Sequence, residues 1–588
     1  VSVVLEIWGI LSSRQRLWVL TAQSLSVLMA FSTVTGMAAV VPFFSVLADP
    51  RVIEHNRLLL WLYERGGFSS QPSFGVALGV GFVTIVLLAN LVNLVGSLVM
   101  NRLALRIGAE LQTRLFAEYL HRPYAFHARF GSTALANRVL YEVPRLTHGI
   151  LDNLFTLISN LITATFIIGC LLFLDPLLSA AILAALGGGY VVLYLSARNR
   201  LLRSGEEQSR QAEREARVLY EGLGAIKEVS LLHVEDFFRR GFETASAGAA
   251  RAAAHHHAVG QSPKPLMECA AVAVLVGVAL FSTTHTEGFG SWLGQLTFLA
   301  FAGYRLLPSL QQAFASLVRI RADRCVLVSL GPDLRLGRSD PPAGDPERRI
   351  QSAETSFRGS PRREIRLRDV SFQYSSERAA AVDALNLVIP AGATVALVGA
   401  NGSGKTTVLD LIAGELVPTK GRLEVDGVVV NDTNRRAWQS RLAYVPQNPF
   451  LLDASIAENI ALGVAAQAID QHRLLRAARL ARVDEFAIRL PRGYDQNIGE
   501  RGVALSGGQR QRVGIARALY RDAAVLLLDE ATNALDGPGE EHVISALRSL
   551  HGLCTIILVA HRWRAVSWCD LLFDLQHGVV RAECRANS

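Results

Sequence analysis

Six long apolar runs crowd into the first half of the chain, and none follows after residue 364. They cover residues 17–46, 74–100, 150–174, 177–195, 265–281 and 292–318. As helices, each reaches across a hydrocarbon core of ~30 Å, the fifth only barely. Half of the 588 residues are hydrophobic and the mean hydropathy is +0.28, but the apolar residues are unevenly spread. A soluble protein can bury one or two such helices in its core. Six in one half of a chain point instead to a membrane.

Charge sets an orientation, because connections left in the cytoplasm carry an excess of Lys and Arg. Arg14 and Arg16 precede the first run. Between the second and third lie Arg102, Arg106, Arg114, Arg122, Arg129, Arg138 and Arg145. Between the fourth and fifth lie Arg198, Arg203, Arg210, Arg217, Lys227, Arg239 and Arg240, and Arg319, Arg321 and Arg324 follow the sixth. The alternate connections "LDP" and "STTHTEGFG" have neither Lys nor Arg. The first outer connection is longer and mixed in charge. Both termini and both long inner connections are therefore expected in the cytoplasm. The net charge of +8 follows from this asymmetry and calls for no nucleic-acid partner.

The inner connections are not ordinary loops. No proline lies between Pro72 and Pro123 or between Pro176 and Pro263. Residues 75–120 can form one helix of about 70 Å at ~1.5 Å per residue, far longer than a bilayer is thick. Such helices project from the membrane and return, with breaks near "HRPYAFHARFGS" and "EGLGAIKEVSLL". The six cysteines form no C-x-x-C pair, which argues against a metal site or a structural disulfide. The run His255, His256, His257 reads as a polar helix end at the membrane surface rather than a metal site. Residues 331–364, rich in Pro, Gly and Arg, read as a linker. The expected domains are thus 1–330, a membrane domain of six helices with long extensions, and 365–588, an α/β domain.

The second domain opens on "VALVGANGSGKTTVLDLI". A buried strand ends at Gly399, a small-residue loop of Asn401, Gly402, Ser403 and Gly404 follows, and a helix starts at Lys405, Thr406 and Thr407. This is the G-x-x-x-x-G-K-[ST] phosphate loop in its required strand–loop–helix setting. Its glycines turn backbone N–H groups onto phosphate oxygens, and the helix N-terminus adds its dipole. Lys405 is expected on the β- and γ-phosphates and Thr406 on Mg²⁺. Only four of the 59 basic residues are lysine, so Lys405 sits where a compact ammonium is needed rather than a planar guanidinium. Residues 524–528 read as an apolar strand ending in Asp529 and Glu530. Asp529 suits Mg²⁺, and Glu530 suits a general base for the attacking water.

Between these pieces stands "LSGGQRQR", residues 505–512, and with it the domain resembles an ABC nucleotide-binding domain from about residue 365 to its end. The resemblance implies roles for further residues. Tyr374 stacks on adenine, Gln447 in "YVPQNPF" reaches Mg²⁺ and the catalytic water, and His561 in "VAHR" is the switch histidine. Glu500 in "IGERG" matches an acidic loop typical of exporters. "NALD", ending at Asp536, resembles the D-loop. Ser506, Gly507, Gly508 and Gln509 meet the γ-phosphate bound to a second chain, so the family implies a dimer, here most simply a homodimer with two competent sites.

Six spans fused ahead of one such domain resemble an ABC exporter half-transporter, a multi-pass protein of the bacterial inner membrane. Its breaks at residues 124–131 and 222–230 would be coupling helices. "LADPRVIEHNRLLLWLYERGGFSS", "GLGAIKEVSLL" and "FAGYRLLPSLQQ" resemble the bacterial lipid-linked oligosaccharide flippases. This implies ATP-driven movement of a lipid-linked oligosaccharide or another amphipathic substrate. A multidrug, peptide or simple lipid exporter remains an alternative, and so does an ATP-gated channel or regulator. Arg305, midway along the sixth run, is expensive in a membrane. It reads either as a ligand for the lipid's pyrophosphate or as half of a structural pair, for example with Glu268.

Overall fold

The computed structural model describes residues 2–48, 52–68, 70–174, 187–261, 263–285, 289–336, 357, 361–374, 379–532, 537–560, 566–576 and 578–585. Its contacts divide the chain into two compact units, residues 1–122 with 130–340, and residues 123–129 with 341–588.

The first unit is helical. Among the described residues, Ser13–Leu47, Gln71–His121 and Ser132–Leu172 are long and apolar enough to cross a membrane. Helices Pro263–His285 and Phe289–Ala322 contain the fifth and sixth expected spans. Half of the fourth, residues 177–186, lies outside the described residues. Helix Gln71–His121 carries Val76, Val80, Val83, Leu87, Leu91, Leu94 and Leu98 on exposed positions. So large an apolar surface is stable only against hydrocarbon or another apolar surface. Helices meet where side chains are small or mutually fitted, as membrane packing requires. Gly36 faces Ala89, and a Cβ on Gly96 would stand 2.4 Å from the Met29 sulfur.

The expected first span is two helices, Ser13–Ala38 and Val40–Ala48. Pro42 offers no N–H to the carbonyl four residues back, so the ladder breaks there. The following segment contains an amphipathic helix, Arg57–Arg65, capped by the Asn56 side chain on the N–H groups of Leu58 and Leu59. Leu59 buries with Val46, Ile53 and Phe74, while Leu58 and Trp61 stay exposed.

Helix Gln71–His121 has 51 residues in one piece. The short helix Tyr124–Phe130 follows it, and Gly131 turns the chain back at φ 74°. The second break falls a little later than expected. Helix Gly188–Gly224 continues to Gly224, Ile226–Leu232 is the short helix, and His233 ends it in the left-handed region at φ 53°. Outside the apolar runs, charged pairs add to the apolar packing. Arg145 Nε donates to Asp323 at 2.6 Å and Nη1 to Ser209 at 2.6 Å, tying two helices to the turn before Arg324–Leu336. Asp333 takes Tyr119 and Arg138 at 3.0 and 3.1 Å.

The second unit holds two sheets. In the first, β1 (Glu364–Phe372) lies between β2 (Val382–Pro390) and β4 (Lys420–Val425), both antiparallel to it, with β5 (Val428–Val429) outside β4. The second sheet has the order β10–β9–β3–β8–β7–β6. Its β3 (Thr394–Val398), β6 (Leu442–Val445), β7 (Val525–Asp529), β8 (Thr555–Val559) and β9 (Leu571–Gln576) all run parallel. Only β10 (Val579–Arg585) is antiparallel, at the edge. Strands β7 and β8 are buried along their whole length, as strands covered on both faces must be. Because the strands are parallel, the segments after β3, β6 and β7 leave the sheet at one end. That shared edge is where open α/β sheets bind ligands.

Candidate functional site

Topology brings together residues that the sequence separates by more than a hundred positions. The loop after β3 is the phosphate loop, with Gly399, Gly402 and Gly404 at φ 146°, 79° and 97°. A Cβ on Gly399 would stand 2.2 Å from the Leu575 carbonyl oxygen, so no other residue fits there. Lys405 is buried and begins the helix Lys405–Ile412. Its Nζ donates to the carbonyls of Gly399 and Ala400, both at 2.9 Å. The buried Ser403 hydroxyl makes no hydrogen bond among the described residues. A flexible ammonium and an unmet hydroxyl in a loop of inward-turned amides fit a polyphosphate. Asn401 and Gly402 form the exposed rim of this loop, and Thr407 lies behind it against Tyr374.

The end of β7 supplies the carboxylates. Thr406 Oγ1 donates to Asp529 Oδ1 at 3.4 Å, and Tyr444 Oη lies 3.5 Å from Oδ2. Burial, and then neighbouring Glu530, hold the Asp529 carboxyl above its usual range against the bonds from Thr406 and Tyr444 and the Lys405 charge. Hard oxygens from a hydroxyl and a carboxylate at this separation suit Mg²⁺. Gln447, just beyond β6, donates from Nε2 to Glu530 Oε2 at 2.9 Å. Glu530 stands in the left-handed region at φ 49°, unusual for a residue with a side chain. Such a conformation costs about 1–3 kcal/mol.

Other expected residues stand further out or outside the described residues. Tyr374 packs edge-on against Phe372 and bonds through its hydroxyl to Thr407 at 3.2 Å, with half its surface exposed. Ser506 caps the helix Gly507–Tyr520 in a reciprocal box with Gln509, leaving the N–H groups of Gly507 and Gly508 at the open helix end. Among the described residues no hydrogen bond joins Ser506–Gln509 to the phosphate loop. Glu500 lies exposed in a short turn with Arg501 at φ 55°. Asp536 and His561 lie outside the described residues.

Three contributors escaped the sequence reading. Gly578, in the β9–β10 turn, donates its N–H to the Ser403 carbonyl at 3.0 Å. Tyr444 leaves β6 toward Asp529. Asp410, inside an apolar helix, is half-buried, and burial together with Asp529 and Glu415 pushes its carboxyl from 3.8 up to about 6. The folded state holds this proton more tightly than the unfolded chain, so its contribution is present below about pH 4 and lost as pH rises through about 6. Without nucleotide, Asp410→Asn is expected to melt higher than the native protein at pH 7.5, with the gap closing toward pH 4. An equal or lower melting temperature at pH 7.5 would contradict the placement of Asp410.

The membrane unit has its own cavity, about 540 Å³, lined in part by Thr33, Asn93, Ser159, Asn160, Gln312 and Arg305. Asn93 bonds to Thr33 at 3.0 Å and Asn160 to Gln312 at 3.3 Å. Arg305 reaches Asn90, not Glu268: Nη1 and Nη2 donate to Asn90 Oδ1 at 3.4 and 3.3 Å. Its side chain faces the Gln71–His121 helix instead of the Pro263–His285 helix. Among the described residues no carboxylate lies within ion-pair distance of it.

A phosphate loop and strand-end carboxylates on a parallel sheet define a P-loop ATP-binding domain, and it follows a helical transmembrane region. The chain belongs to the ABC transporter family, as an exporter that couples ATP hydrolysis to transport. The ABC transporter model matches residues 382–533, and the ABC transporter transmembrane region model matches 56–305. A protein of Ralstonia nicotianae named ATP-dependent lipid A-core flippase is 31% identical, over 82% of this chain and 79% of its own. One of the same name from Albidiferax ferrireducens is 29% identical over 94% and 92%. A bacterial Atm1-family ABC exporter, solved with ATP bound, superposes with a TM-score of 0.75 at 23% identity, covering 94% of this chain and 95% of the other, and so shares its fold.

Proposed function

We propose that the protein is a homodimeric flippase of the bacterial inner membrane, with N-terminus and ATPase domain in the cytoplasm, that moves a lipid-linked oligosaccharide. The observation that carries the cargo is Arg305: a cation inside an apolar helix, in a cavity of hydroxyls and amides with one carboxylate, Asp152, that makes no ion pair with it, and with a neutral amide as its hydrogen-bond partner. A partly buried cation in a membrane helix, with no carboxylate at ion-pair distance, suits an anion from outside. A guanidinium fork suits phosphate, and amides and hydroxyls suit sugar. The relatives' name, lipid A-core flippase, favours a second cargo that also joins a lipid to sugar.

In this reading ATP is the substrate of two composite sites. Lys405 and the loop amides hold its phosphates, and Tyr374 its adenine. Thr406, Asp529 and Gln447 would hold Mg²⁺, which would neutralise phosphate charge. Ser506 and the amides of Gly507 and Gly508 close the site from the second chain, with Gln509 bracing the serine and Asp536 at the same interface. Glu530 takes a proton from the attacking water, Gln447 orients it, and His561 contacts the γ-phosphate. ATP binding favours the closed dimer, which turns the membrane cavity outward, and hydrolysis resets it.

Arg305→Ala is expected to insert, keep its melting temperature and hydrolyse ATP, yet lose flipping of polyprenyl-pyrophosphate oligosaccharide in liposomes by roughly tenfold or more, the scale of a lost charge-assisted pair. A variant that is stable and flips at the native rate would overturn the assignment.

A further inference from the structure

The ATPase domain has a second polar cavity at the opposite end of the same strands. It holds about 440 Å³ and opens where β6 and β7 begin, against the helix Gln471–Leu480 and the end of the helix Gly507–Tyr520. Four arginines line it: Arg441, Arg473, Arg476 and Arg521. Its one carboxylate is Asp522. The arginines come from three separate segments, so folding, not a run of charge in the sequence, assembles them.

Two ordinary explanations account for part of this. A cation at the end of the Gly507–Tyr520 helix is favoured by the helix dipole, which explains Arg521. Arg473 is held in place, donating to the Tyr520 carbonyl at 3.1 Å with its guanidinium 5.4 Å from the Tyr520 ring. The phosphate loop cannot be the reason for the rest, since it leaves the far end of β3. Arg441 and Arg476 have no ion pair among the described residues, and the buried Nε of Arg441 has no hydrogen-bond partner there. Like charges gathered around one cavity repel unless an anion joins them. The volume is that of a small-molecule site, and guanidinium groups are the side chains best matched to phosphate.

We propose that this cavity is a second anion site, separate from the ATP site, for a small molecule carrying a diphosphate group. Arg441 and Arg476 face the anion from the sheet and from the Gln471–Leu480 helix, while Arg473, fixed on Tyr520, holds the wall. A bound diphosphate ties that helix to the start of β6 and β7, and so to the strand that ends in Asp529.

The test titrates inorganic pyrophosphate by calorimetry into the full-length detergent-solubilised protein, with the ATP sites saturated by a non-hydrolysable ATP analogue. The expected result is one pyrophosphate site per chain, weakened tenfold or more in Arg441→Gln/Arg476→Gln, with affinity for the ATP analogue unchanged. Arg476→Gln alone, at an exposed helix position, covers the case in which the double variant does not fold, and should weaken binding at least threefold. No site at millimolar pyrophosphate, or one indifferent to both variants, would overturn the proposal. Either result stands apart from the transport assay, so it does not decide the cargo.

Discussion

Glu530→Gln should bind ATP and fail to spend it. Loss of the general base is expected to slow hydrolysis by roughly 10²-fold or more. Glutamine keeps the size and shape of the side chain and the same Cβ, so the backbone at φ 49° takes on no new strain. Gln447 then faces an amide in place of a carboxylate. ATP-bound, closed dimers should accumulate and be recovered with nucleotide attached after gel filtration. Hydrolysis at the native rate would remove Glu530 from its proposed role.

The second large effect separates binding within a chain from binding between chains. Lys405 Nζ rests on two carbonyls of its own loop, a position from which it is free to turn to phosphate. Lys405→Ala should weaken ATP binding about 10- to 100-fold, the worth of one or two charge-assisted hydrogen bonds. Ser506→Ala should leave that affinity nearly unchanged and lower hydrolysis. It also removes a helix cap, worth about 1 kcal/mol, so its melting temperature is measured alongside. When the two mutant chains are mixed, one composite site of a mixed dimer carries both lesions and the other carries neither. Partial recovery of ATPase activity in verified mixed dimers is the expected outcome. Recovery absent there would count against the head-to-tail dimer.

The phosphate loop was legible because its chemistry is local: glycines, a lysine and a threonine at fixed spacing between an apolar strand and a helix. The long helix through Gln71–His121 was legible for a similar reason, an unbroken stretch without proline. What the sequence concealed depends on register between elements. Arg305 faces Asn90 because of how two helices rotate about their own axes, which no spacing within either helix reveals. Asp410 carries no signal of its own in the sequence, and only folding sets it beside Asp529 and Glu415. The arginines at positions 441, 473, 476 and 521 are ordinary in a chain this rich in arginine, until parallel strands and two helix ends gather them at one cavity. Pro42 stands in so apolar a run that composition alone does not mark the break at the start of Val40–Ala48.

As a proposed flippase, the protein should use ATP turnover to move a lipid-linked glycan from one leaflet to the other. The most direct measurement reconstitutes the purified protein in liposomes carrying fluorescent polyprenyl-pyrophosphate oligosaccharide in one leaflet, with lipid A-core in a parallel set. Transfer is followed with ATP, without it, and with Glu530→Gln. Net transfer of the oligosaccharide lipid should need ATP and be lost in Glu530→Gln and in Arg305→Ala. Transfer of lipid A-core alone would move the cargo to the relatives' lipid. ATP hydrolysis at a steady rate with neither lipid moving would contradict the claim.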